Sequence, residues 1–400
     1  MRGLRLARRL LDFFAITEHC RNRFEGARGG RKVLSAMSGE AGDLPGLDPA
    51  IDRTPLAGAR WGRRSPDLVE AGAGARAATY AALDLGTNNC RLLVARPAGD
   101  GFRVIDAFSR IVRLGEGVSL TGRMSEAAME RAIGALAICR SKMKNRGVTR
   151  ARLIATEACR AAANGEHFRM RVADELGLEL EVIDRGTEAG LAATGCTPLM
   201  DPDAQGVVLF DIGGGSSELV RLDRSQSVRR GPPLPRIRGW TSLPTGVVTL
   251  AERYGGIVVT PESYERMVED VSTLMAPFVR EHGQGGVHGI HMLGTSGTVT
   301  TIAGVHLDLR RYDRNRVDGC WMNMEEISGV VSRLLAMSYA ERVASPCIGA
   351  ERADLVLAGC AILDAIRRAF PLPRLRVADR GLREGMLVEM MREDGALRSW

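Results

Sequence analysis

The sequence predicts an α/β protein of two domains that repeat one folding unit. Two short segments carry the prediction. Ala82 to Cys90 (A-L-D-L-G-T-N-N-C) and Phe210 to Glu218 (F-D-I-G-G-G-S-S-E) each run an apolar, strand-like stretch into an acid, one apolar residue, glycine and small hydroxyl or amide residues. The element order around them repeats as well. Three strands, helix, strand, helix, strand, helix are followed, after the Pro/Asp/Gly break from Pro198 to Gly206, by the start of the same order. The halves share this pattern but little sequence, which fits a duplicated domain better than an array of short repeats.

Taken along the chain, T-Y-A-A-L-D-L-G-T, C-R-L-L-V-A-R and F-R-V-I-D-A-F read as strands joined by short turns. Ser125 to Asn145 reads as a helix with a Ser-Glu start. R-L-I-A-T is a strand, His167 to Leu176 a helix and L-E-L-E-V-I-D a strand, with a helix after Thr187. The second half opens with G-V-V-L-F-D-I, S-E-L-V-R-L and a strand near Trp240, then a long helix from Pro261 to Glu281 and the strand I-H-M-L-G-T. L-R-V-A-D-R-G-L-R-E-G-M-L-V-E-M-M reads as strand, loop and closing helix. The expected domains are residues 78–200 and 201–395. Residues 1–77 lack sustained periodicity and are expected to be a disordered or artefactual N-terminal extension without function, with Met37 as an alternative start.

Four hundred residues suffice for two cores with some excess. No apolar run approaches the roughly 18–20 residues that span a bilayer, and no secretory leader is recognisable. The eight cysteines are scattered, with no C-x-x-C pair, and read as small buried residues of a protein in a reducing, cytoplasmic compartment. The sequence pI near 9.2 invites a nucleic-acid reading. However, residues 1–77 hold 14 Lys and Arg against 9 Asp and Glu, leaving 41 against 39 for the rest. The globular part is nearly neutral, so neither nucleic acid nor a membrane is expected as a partner. An anion site must be local.

An acid at a strand end can hold a metal or orient water, and the glycines let backbone N–H groups approach a phosphate. Two such loops facing each other would grip a phosphate chain from both sides. Rival chemistries fall away. No lysine follows glycine, which excludes the lysine-bearing phosphate loop. Cys90 to Arg96 has the spacing of a thiol phosphatase, yet its interior is R-L-L-V-A, a strand that cannot wrap an anion. None of the six histidines stands at a metal-ligand spacing from another. What remains is Asp84, Asp211, Glu188, Glu218 and a third small-residue loop, G-T-S-G-T, from Gly294 to Thr298.

Taken in order, D-L-G-T-N (Asp84 to Asn88), R-L-G-E-G (Arg113 to Gly117), A-T-E-A-C-R-A-A-A-N (Ala155 to Asn164), T-E-A (Thr187 to Ala189), D-I-G-G-G-S-S-E-L (Asp211 to Leu219), L-G-T-S-G-T (Leu293 to Thr298), R-A-D (Arg352 to Asp354) and L-R-E-G (Leu382 to Gly385) resemble the exopolyphosphatase / guanosine pentaphosphate phosphatase (Ppx/GppA) family. The resemblance runs from about Tyr80 to Met391. It implies two duplicated ribonuclease-H-like domains, of the actin, sugar-kinase and heat-shock-ATPase type, around an interdomain cleft.

The resemblance also implies roles for the residues. Glu188 is the expected catalytic base, although the family's second acid is Thr187 here and its following Arg is Gly190. Asp84 and Asp211, with Glu218, are expected to hold or polarise Mg²⁺. Gly86, Thr87, Asn88, Arg160, Gly213, Gly214, Gly215 and Ser216, with Thr295, Ser296, Gly297 and Thr298, are expected to bind phosphate. The implied reaction is release of terminal orthophosphate from inorganic polyphosphate. The alternatives are guanosine pentaphosphate hydrolysis and a non-catalytic regulator that binds nucleotide or polyphosphate. Longer relatives carry a C-terminal helical domain that extends the polyphosphate channel. This sequence ends soon after the last motif, which favours short polyphosphates or the nucleotide. A homodimer is a further expectation of the resemblance.

Overall fold

The structure, a computed structural model, describes residues 78–224, 235–283 and 289–397. The expectation for residues 1–77 lies outside the described residues.

The first half runs β1 (Tyr80–Leu85), β2 (Asn89–Ala98), β3 (Gly101–Ile111), α1 (Val118–Thr121), α2 (Glu126–Asn145), β4 (Arg150–Ala155), α3 (Glu157–Ala161), α4 (Gly165–Leu176), β5 (Glu181–Val182) and α5 (Arg185–Cys196). The second runs β6 (Gly206–Ile212), β7 (Ser217–Arg224), β8 (Pro235–Leu243), α6 (Val247–Tyr254), α7 (Pro261–His282), β9 (Ile290–Thr295), α8 (Gly297–His306), α9 (Arg314–Val317), β10 (Trp321–Asn323), α10 (Met324–Ala336), α11 (Tyr339–Ala344), α12 (Val356–Ala369), β11 (Arg374–Ala378) and α13 (Leu382–Glu393).

The duplication is visible in the sheets. One sheet is ordered β3-β2-β1-β4-β5 and the other β8-β7-β6-β9-β11-β10. In each, the first two strands form an antiparallel hairpin whose leading strand pairs parallel with the strand after the crossover. β1 (Y-A-A-L-D-L) and β6 (G-V-V-L-F-D-I) lie inside their sheets and are buried almost throughout, hence the unbroken apolar runs. The helices begin where the sequence can cap them. Ser125 accepts from the Ala128 N–H at α2, and Thr260 forms a capping box with Ser263 ahead of Pro261 at α7.

Three local expectations change. The strand L-E-L-E-V-I-D shrinks to the two residues of β5, an edge strand beside β4. The helix expected after Thr187 starts earlier, at Arg185, because Asp184 caps it by accepting from the Thr187 N–H at 2.9 Å. G-T-S-G-T is no continuous loop: Thr295 ends β9 and Gly297 opens α8. The seven described cysteines are unpaired, and five of them are buried.

The C-terminal helix falls within the expected 201–395 domain in sequence but packs on the other half. Although α13 follows the second sheet in sequence, its Leu382, Met386, Leu387, Met390 and Met391 pack with Tyr80, Ala82, Leu93 and Ile154 of the first sheet and Leu191 of α5. The other face of α5, through Ala189, Ala193 and Cys196, packs on Val207, Leu209 and Val220 of the second. The α5/α13 pair thus ties the halves together, and it crosses at backbone contact. A Cβ on Gly195 would stand 2.0 Å from the Gly381 carbonyl oxygen, and one on Gly385 2.0 Å from that of Leu191. A second tie is polar. Arg113, held at φ 47, forks onto both oxygens of Asp354 at 2.8 and 2.9 Å, and Glu252 accepts from the Gly117 N–H at 2.7 Å.

Candidate active site

The two glycine segments are equivalent hairpin tips. In the first, Leu85 pairs with Cys90 and the Gly86 N–H donates to Asn89 O at 2.9 Å. In the second, Ile212 pairs with Ser217 and the Gly213 N–H donates to Ser216 O at 3.0 Å. Two residues before each tip stands the acid, Asp84 opposite Arg91 and Asp211 opposite Glu218. The tips touch each other. A Cβ on Gly214 would lie 2.9 Å from Thr87 Cβ, and one on Gly215 2.8 Å from Thr87 Oγ1, so only glycine permits this approach.

The third small-residue segment closes the site. Thr295 donates through Oγ1 to Arg380 O at 2.7 Å, and Ser296 takes φ 106 so that α8 starts at the cavity wall. A helix start offers backbone N–H groups suited to an anion. The Oδ1 atoms of Asn88 and Asn89 and the Oγ of Ser296 are buried without a protein partner, so the lining holds polar groups ready for a ligand. The cavity they surround has a volume of about 150 Å³. Every residue expected at the site lines it except Arg160.

Arg160 is bonded to two residues of the lining, Glu157 and Glu188. Its Nε and Nη2 donate to Glu157 Oε2 at 2.9 and 2.6 Å, its Nη1 donates to Ile183 O at 2.6 Å, and Nη2 also reaches Glu188 Oε2 at 3.0 Å. It grips carboxylates where the sequence reading expected it to grip phosphate.

The acids crowd one another. Burial, then the charge on Glu218, pushes Glu188 up to about 9, with Arg160 opposing. Burial and Asp211 push Glu218 up to about 7, although Ser242 Oγ donates to it at 2.8 Å. Burial and Asp84 push Asp211 up to about 6, and burial raises Asp84 as well. Such a group ionises together only when positive charge joins it. Hard carboxylate oxygens fit Mg²⁺, which commonly takes one or two carboxylates and completes its shell with water and phosphate oxygens. Among the described residues no three His, Cys, Asp or Glu side chains form a ready-made cage. Asp84 and Asp211, one from each hairpin, fit the two-carboxylate arrangement.

Sequence reasoning gave no role to the arginines of this cleft. Arg91, Arg352, Arg380 and Arg383 line the cavity. A wider one of about 790 Å³ adjoins it, shares Arg91, Arg352 and Arg383, and adds Arg110, Arg314, Phe108 and Tyr312. The signal was present, since Arg352 and Arg383 sit in R-A-D and L-R-E-G. Arg91 could have been found by aligning the two hairpins, where it occupies the place of Glu218.

Two like lobes meeting at paired acid–glycine hairpins, with arginines leading away, mark a protein that handles phosphoryl groups in a cleft. The Ppx/GppA phosphatase family profile matches residues 93–394, and the chain belongs to that family. It is 28% identical over 320 residues to a guanosine-5'-triphosphate,3'-diphosphate pyrophosphatase of Photobacterium profundum, covering 78% of this chain and 59% of that protein. A putative exopolyphosphatase of Haemophilus influenzae is 24% identical over 310 residues, covering 78% of this chain and 90% of its own. Among solved structures, an exopolyphosphatase-like protein superposes with a TM-score of 0.71 at 29% identity, over 79% of this chain and 99% of its own. The Aquifex aeolicus family member gives 0.65 at 28% identity, over 80% and 99%. Among the described residues no helix is long and apolar enough to cross a membrane.

Proposed function

We propose that this chain hydrolyses a terminal phosphoanhydride, releasing orthophosphate from inorganic polyphosphate. The observation that carries the reading is the placement of Glu188, which lines the same cavity as both acid–glycine hairpins and is steadied by Arg160. Glu188 orients a water and takes its proton for in-line attack on the last phosphorus. The hairpin tips and the start of α8 hold the phosphoryl group, and Arg91, Arg352 and Arg383 neutralise the leaving chain. When bound between Asp84 and Asp211, Mg²⁺ would offset charge on the phosphate oxygens. A covalent phosphoenzyme is unnecessary, since positioning and electrostatics suffice for phosphoryl transfer.

A second substrate reading has its own support. The adjoining cavity of about 790 Å³, with Phe108 and Tyr312 among its arginines, accommodates more than a string of phosphates. It suits guanosine pentaphosphate, the base against apolar surface and the phosphates toward the hairpins. Orthophosphate release from polyphosphates of several lengths and from guanosine pentaphosphate, with Mg²⁺ and with Glu188→Ala beside the wild type, tests both. The variant is expected to lose activity on whichever substrate the wild type prefers. Release from neither by the wild type would leave a nucleotide-binding or polyphosphate-binding regulator.

A further inference from the structure

We propose that Glu157 is a positioning residue for Glu188: it holds Arg160 side-on, so that the arginine gives the base one hydrogen bond where it could give two. The inference rests on reading Glu188 as the base. Glu157 and Arg160 stand three apart on α3, and Arg185 and Glu188 three apart on α5. Their charges alternate in a chain of contacts: Arg185, Glu157, Arg160, Glu188.

Glu157 is 9% exposed and lines the cleft, and both its oxygens accept from arginine. Oε2 takes Arg160 Nε at 2.9 Å and Nη2 at 2.6 Å, while Oε1 takes Arg185 Nη2 at 2.8 Å. Those bonds, with Ile183 O on Nη1, leave Arg160 a single contact to Glu188, from Nη2 to Oε2 at 3.0 Å. The other Glu188 oxygen keeps clear of Arg160 and can receive a water. A guanidinium released from Glu157 would prefer the two-bond fork with the nearest carboxylate. That fork would cover both oxygens of Glu188 and leave neither free to receive the water. Glu157 cannot serve as the base itself, because two arginines cover it.

Glu157→Gln keeps the shape and removes the charge that competes for Arg160. Its kcat is expected to fall by about 10–100-fold, by analogy with the loss seen when partners that orient metal ligands are removed, with KM little changed. Glu157→Asp is expected to recover part of the loss. Crystal structures of the wild type and Glu157→Gln supply a readout that does not depend on turnover. Arg160 moving onto both oxygens of Glu188 supports the assignment. Arg160 keeping its single contact overturns it, as does a kcat within twofold of wild type. Glu188→Gln in the same assay isolates the underlying reading: if it matches the wild type, the base is misassigned, while the position of Arg160 still decides the role of Glu157.

Discussion

Glu188 is the residue on which the chemistry turns, and its surroundings define what to measure. Replacing it by Gln is expected to lower kcat by about 10²–10⁴-fold, the usual contribution of a positioned base, with the thermal midpoint at or above that of the wild type. Orthophosphate release alongside calorimetry checks this. A base must be deprotonated to act, so activity is lost as pH falls through its titration. Burial, then the charge on Glu218, pushes Glu188 up, so the acidic limb of kcat/KM is expected above the ordinary carboxylate range, and lower with Mg²⁺ than without it. A limb that stays in the ordinary carboxylate range at every Mg²⁺ concentration would argue for another base. Stability has the opposite dependence. The folded carboxyl group keeps its proton to about 9, against 4.5 for the free group, so the folded state binds more protons across that window. Stability from this group is complete below pH 4.5 and declines as pH rises toward 9. Without divalent cation, the thermal midpoint is expected to be lower at pH 8.5 than at pH 6.

Among the elements, the α5/α13 pair offers a paired test. A Cβ on Gly195 would fall 2.0 Å from the Gly381 carbonyl oxygen, whereas around Gly190, on the same helix, nothing lies within 4 Å. Gly195→Ala is expected to destabilise by roughly 1–3 kcal/mol through overpacking. Gly190→Ala is expected to stabilise by about 0.5–1 kcal/mol, the ordinary helix-interior gain over glycine. Urea denaturation of both variants checks the contrast. These elements also mark how far the sequence could be read. The hairpins were legible because their strands are apolar runs ending in an acid and glycine. α12 (V-L-A-G-C-A-I-L-D-A-I-R-R-A) was not, since every residue from Val356 to Ile366 is buried, and a nearly unbroken apolar run does not by itself tell a helix from a strand. α8 (G-T-V-T-T-I-A-G-V-H) is rich in β-branched residues, poor helix formers that read as loop or strand until packing overrides them. At the site the acids and glycines were found because each motif is contiguous. The partners of Arg160 were hidden, because Glu188 reaches it only after α3 and α5 are brought side by side.

In the whole molecule, the lobes are joined by the α5/α13 crossing and, independently, by the fork of Arg113 on Asp354. The two ties differ in kind, one backbone packing and the other a partly exposed ion pair that can part. Arg113→Ala is expected to shift the molecule toward separated lobes, seen as a larger radius of gyration by small-angle scattering. A variant profile superimposable on the wild type would show that the ion pair does not hold the lobes. The matched hairpins carry a further consequence. The duplicated units place opposite charges at equivalent points, Arg91 across from Asp84 and Glu218 across from Asp211. The near-twofold cleft is therefore electrically polar. A polyanion lying in it is attracted beside Arg91 and repelled beside Glu218. A phosphate chain whose two ends are alike would therefore keep its length on the arginine side, whichever terminus meets the acids.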